Sequence, residues 1–176
     1  MAALRNVPLC AVFIALSTTM PSATADPQQL PDLSGYTEVN SNDYLTYSAY
    51  STTGAQFATP GGYRCRMSYI SKAAASMIHC WGALPGTSHN LGGVSYPPGA
   101  AATFADQDPT AMERYQWMDG PGNWHDGTVS PDAYNLLPPH SKLTYRDETC
   151  RVDESMTACE LRGHRFVLSP NGSWTF

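Results

Sequence analysis

Charged side chains are scarce in this chain. They make up 14% of 176 residues, with 10 Lys+Arg against 15 Asp+Glu and a formal net charge of −5. No cluster of Lys or Arg occurs along it. Gripping a nucleic-acid backbone or an anionic membrane surface needs such a cluster, so both are excluded as partners. Local metal and nucleophile signatures are missing as well. There is no CxxC, HxH, HExxH, GxSxG or DxDxDG, and no two of His79, His89, His125, His140 and His164 stand closer than ten positions. The sequence therefore calls for no cofactor and no metal, and it names no catalytic residue.

Long apolar runs are missing after the first 25 residues. Val7 to Met20 is apolar but too short to span a bilayer comfortably. It follows Arg5 and precedes Ala23-Thr24-Ala25, the order of a secretory signal peptide with cleavage before Asp26. The reading is a signal over residues 1–25, an extended polar leader over 26–42, and one domain over 43–176. The mature chain then has no transmembrane segment and a net charge of −6, with nine basic residues left against fifteen acidic ones.

Of five cysteines, Cys10 leaves with the signal, and Cys65, Cys80, Cys150 and Cys159 remain. An even number in an exported chain points to disulfides. Four cysteines allow three pairings. Cys65–Cys80 with Cys150–Cys159 is preferred, because each pair brackets a candidate hairpin.

Glycine and proline, 14 each, are spread evenly and imply tight turns between short strands. Strands are expected at Tyr44–Tyr50, Tyr63–Ile70, Met77–Trp81, Val94–Tyr96 and Ala101–Phe104, with a break at Thr52-Thr53-Gly54. Asp108 to Met118 is the best helix candidate, capped by Asp108 with Pro109 at its first position. Asp119 to Asp132 reads as successive turns. Leu143–Val152, Met156–Leu161 and Phe166–Ser169 form a meander. Asn171-Gly172 then turns the chain so that Ser169 faces Trp174, leaving a last strand packed inside. The fold class is mainly β: a small antiparallel sandwich or barrel, two disulfide-stapled hairpins and at most one short helix.

Function is expected in the middle third. Asp106, Asp108, Glu113, Asp119, Asp126 and Asp132 concentrate there beside Trp117, Trp124 and Tyr134. Aromatic rings next to carboxylates can make a sugar- or peptide-binding surface, and Trp117, Trp124, His125 and Asp126 are its candidate residues. Two suitably spaced carboxylates in the 106–132 region could instead hydrolyse a glycosidic bond.

Several segments together resemble a family of small exported four-cysteine proteins of mycobacteria and related actinobacteria. They are TPGGYRC, HCWGALPG, LLPPHSKLTYRDETC, TACE and GHRFVLSPNGSWTF, spread over Phe57 to Phe176. Arg165 stands where the family usually has glycine after the histidine, and His140 where glycine is also expected. The resemblance implies export and disulfides, and no assigned reaction. The expected function is non-enzymatic binding or interaction, outside the cell or at its envelope. A cell-wall component or an extracellular protein is the expected partner, and a cell-wall hydrolase is the alternative.

Overall fold

The structure, a computed structural model, describes residues 32–97 and 101–176. The expected signal segment lies outside the described residues, as does the start of the leader.

Among the described residues there are fifteen short strands: β1 (Thr37–Glu38), β2 (Tyr47–Ala49), β3 (Thr52–Ala58), β4 (Arg64–Ile70), β5 (Ala75–Trp81), β6 (Leu91–Tyr96), β7 (Thr103–Ala105), β8 (Arg114–Met118), β9 (Trp124–Thr128), β10 (Asn135–Leu136), β11 (Ser141–Tyr145), β12 (Glu148–Val152), β13 (Thr157–Leu161), β14 (His164–Ser169) and β15 (Gly172–Thr175). One sheet runs β1-β11-β12-β13-β14-β15, and a second runs β10-β3-β4-β5-β6-β7 with β2 also on β3. All pairings are antiparallel except β1 on β11 and β10 on β3. The second half of the presumed leader thus contributes an edge strand.

Period-two alternation decides which side chains fill the sandwich. In β4, Cys65 and Met67 point inward and Arg64 and Arg66 outward; in β12, Cys150 and Val152 point inward. Phe57, Ile78, Leu143 and Phe166 join them with no exposed surface. Each such side chain contributes about 1.5–3 kcal/mol of apolar burial. The disulfides are Cys65–Cys80 and Cys150–Cys159, each linking residues directly opposite on neighbouring strands. The two stapled hairpins lie in different sheets. Cys80 Sγ and Cys159 Sγ are 3.9 Å apart, and the bridges meet at the centre of the core.

A third layer covers the outer face of the second sheet. It runs from a four-residue helix, α1 (Pro109–Met112), through the β8–β9 hairpin to Tyr134. Val129 and Tyr134 of this layer pack on Trp81 and Leu91, with Tyr47, Met112 and Tyr115 around them.

Five local expectations are corrected. Helix stops at Met112, and Arg114–Met118 is a strand because Trp124–Thr128 lies beside it in register. The second of these segments is not a run of turns; only Asp119 to Asn123 is, closed by Asp119 N–H on the Asn123 carbonyl at 3.0 Å. Thr52 to Gly54 begins β3, the reversal falling one residue earlier at Ser51 (φ 56°). Leu143–Val152 is divided by a turn at Arg146-Asp147, with Tyr145 opposite Glu148. The last hairpin turns at Pro170-Asn171, so Ser169 faces Gly172 and Val167 faces Trp174. Proline's fixed φ suits the first corner of a turn. The last strand is an edge strand, and Phe176 is 39% exposed.

Candidate functional site

A largely covered carboxylate, Glu113, helps tie the middle third to the sandwich. Glu113 Oε1 accepts from Arg64 Nη1 (2.8 Å) and Trp81 Nε1 (3.1 Å), and its Oε2 accepts from the Tyr134 hydroxyl (2.5 Å). Arg66 lies beside it, donating to Gln56 Oε1 (2.8 Å) and the Tyr134 hydroxyl (3.0 Å), with its guanidinium 4.0 Å from the Tyr47 ring centre. Burial and then the bond to Glu113 push the Tyr134 phenol well above its usual pKa. Glu113 is therefore an anchor, not a solvent-facing acid. Glu113→Ala is expected to cost about 2–3 kcal/mol by leaving the Trp81 and Tyr134 donors unpaired. Hydrogen exchange should quicken across 109–134 and not in the stapled strands; uniform quickening would contradict an anchoring role.

β8 and β9 follow this anchor in the chain and are solvent-exposed along most of their length. Their register pairs Arg114 with Thr128, Tyr115 with Gly127, Gln116 with Asp126, Trp117 with His125 and Met118 with Trp124. Tyr115 lies flat across Gly127, where a Cβ would sit 2.5 Å from the ring. Because successive side chains alternate, the four candidate residues divide between two faces. Trp117 and His125 are on one, stacked at 4.5 Å with 21° between the rings. Trp124 and Asp126 are on the other.

On the first face His125 Nε2 is 3.0 Å from Asp119 Oδ2. That hydrogen bond, followed by those from Asn123, holds the Asp119 carboxyl below its usual pKa. The remaining carboxylates of the region are dispersed. Asp106 contacts His89 (3.1 Å), Asp108 caps α1 through Thr110 N–H (2.9 Å), and Asp126 accepts from Gln116 Nε2 (3.0 Å). Among the described residues no group of three His, Cys, Asp or Glu side chains could hold a metal ion.

The second face carries residues that sequence reasoning missed. Tyr50, at the end of β2, meets Trp124 edge-to-face at 4.7 Å, and its N–H donates to the Gln116 carbonyl (3.3 Å). Lys72 donates to the Tyr50 hydroxyl from above. Between β2 and the hairpin is an open groove of about 510 Å³ lined by Tyr47, Tyr50, Arg114, Gln116, Trp124 and Asp126. It adjoins a hollow of about 400 Å³ that shares Arg114 and Asp126 and ends at Thr128. The alternation in Arg-Tyr-Gln-Trp-Met was the available signal for Arg114 and Gln116. Tyr50 is sixty-odd positions away and had none.

No protein-family model, no curated protein and no solved structure matches this chain. Two formed disulfides fit an oxidising compartment. Among the described residues no helix is long and apolar enough to cross a membrane.

Proposed function

We propose that this is an exported binding protein, secreted or held at the cell envelope, whose contact surface is the β8–β9 hairpin. One observation carries the reading: Trp117 and Trp124 are 42% and 52% exposed, on opposite faces of the hairpin. Large aromatics held rigidly in solvent are costly to leave uncovered and are enriched where binding energy concentrates. The signal-like first 25 residues, the disulfides and the resemblance to small exported proteins support the location.

The His125–Asp119 pair favours the alternative, a cell-wall hydrolase, but weakly. A glycosidase needs a carboxyl kept protonated as the acid, and Asp119 is held the other way. Incubation of the protein lacking residues 1–25 with insoluble cell-wall polymers separates the two readings. Co-sedimentation without released fragments is expected, and weaker pelleting of Trp117→Ala or Trp124→Ala. Released sugar or peptide fragments would instead establish the hydrolase.

A further inference from the structure

We infer that the groove between β2 and the β8–β9 hairpin is a glycan-binding site, which takes a short stretch of pyranose rings along the face bearing Trp124. The inference rests on the binding reading above and narrows it to one face and one ligand chemistry.

Cross-strand register sets the order of side chains on that face. Met118 and Trp124 come first, Gln116 and Asp126 next, and Arg114 and Thr128 last. Successive pairs are two residues apart, so the strip runs about 14 Å, the length of a short oligosaccharide rather than one sugar. The groove and the adjoining hollow follow the same line.

The chemistry of the strip matches a pyranose. The sugar ring presents C–H groups on its faces and hydroxyls around its rim. Trp124 offers an apolar ring half open to solvent, steadied by its edge-to-face contact with Tyr50 and therefore presented at little entropic cost. Carboxylate, amide and guanidinium each carry hydrogen-bonding atoms in one plane, able to engage two neighbouring hydroxyls. Asp126 and Gln116 are already bonded at 3.0 Å, which fixes their planes and leaves Asp126 Oδ2 and Gln116 Oε1 to act as acceptors. Arg114, whose contact among the described residues is a long one to Thr110 Oγ1 (3.5 Å), supplies donors at the far end.

Extended peptides fit less well. A proline-rich segment needs aromatic ridges side by side, whereas Tyr50 and Trp124 stand at 73°. Strand addition within the groove needs a free backbone edge on its β8 side, and there the Tyr50 N–H already occupies the Gln116 backbone carbonyl.

The test is calorimetric titration of the protein with soluble tetrasaccharides of β-1,4-linked N-acetylglucosamine, β-1,4-linked glucose and α-1,6-linked mannose, with a proline-rich decapeptide alongside. Saturable binding of at least one tetrasaccharide is expected. Trp124→Ala should weaken it by about tenfold or more, and Trp117→Ala by less than about twofold. Gln116→Ala should also weaken it; this exposed residue can be truncated without threatening the fold. Binding of the decapeptide alone, or of no tetrasaccharide, overturns the glycan site. If envelope polymers still pellet the protein, only this inference falls; if they do not, the binding reading falls with it.

Discussion

Replacing Cys150 and Cys159 together by alanine lowers the free energy of unfolding by about 3–5 kcal/mol. A bridge closing so short a loop restricts the unfolded chain by roughly 2–3 kcal/mol. The rest comes from the core, because both cysteines are fully buried and Cys159 lies against Cys80 of the facing sheet. Removing the sulfurs leaves a gap that the opposite disulfide cannot follow. Contact also couples the bridges. The variant lacking both should depart from the sum of the two single-bridge losses, as touching groups do. Urea unfolding followed by circular dichroism measures all three. A loss below about 1 kcal/mol for the Cys150–Cys159 bridge, or strict additivity, would contradict a core centred on the paired disulfides.

Glu148→Gln stabilises the protein at pH 8, and by more than at any lower pH. Glu148 starts β12 with its side chain turned into the core, fully buried, and neither carboxyl oxygen has a hydrogen-bond partner among the described residues. The nearby Ser76 hydroxyl is given to Asp147 Oδ1 at 3.0 Å. Burial pushes the Glu148 pKa from 4.5 to about 9; Ser76, the Met77 amide and Arg146 oppose the rise, and Asp147 adds to it. The folded protein therefore keeps a proton that the unfolded chain releases between pH 4.5 and 9. Stability falls as pH rises through that window, by at most about 1.4 kcal/mol per unit.

His79 acts in the opposite direction at lower pH. Burial, then Arg66, lowers its pKa from 6.5 to about 4, so the unfolded chain takes up a proton that the folded one refuses. Stability from this group falls as pH drops from 6.5 to 4. The two effects offset one another between about pH 4.5 and 6.5, and above that only the Glu148 loss remains. The melting temperature should thus be level in mild acid and fall above neutrality. Glu148→Gln, neutral at every pH, should flatten the alkaline side and gain on the order of 3 kcal/mol at pH 8. Parallel pH profiles for the two proteins would contradict a buried, protonated Glu148.

The stapled hairpins were legible in the sequence because cross-strand disulfides demand directly opposed residues, and the flanking runs already had strand composition. The turns between them fixed the rest. What sequence could not show was which sheet each hairpin joins, since no local pattern records that Cys80 meets Cys159. The 108–118 segment was misread for a different reason. Asp108 and Pro109 do begin a helix, and Met112, Tyr115 and Trp117 suit a helical stripe almost as well as an alternating strand. Pairing with Trp124–Thr128, and with Tyr50 beyond, decided it. The same alternation then divided Trp117 and His125 from Trp124 and Asp126. Glu113 and Glu148 were invisible for a related reason: a buried carboxylate and a solvated one look alike until the chain folds over them.

The central claim is that the β8–β9 hairpin is the contact surface. Hydrogen exchange of the protein with and without an excess of soluble cell-wall glycan tests it most directly. Slowed exchange confined to Arg114–Met118, Trp124–Thr128 and the neighbouring end of β2 is the result this account predicts. Protection elsewhere, on the β11–β15 sheet for example, with the hairpin unchanged would contradict it.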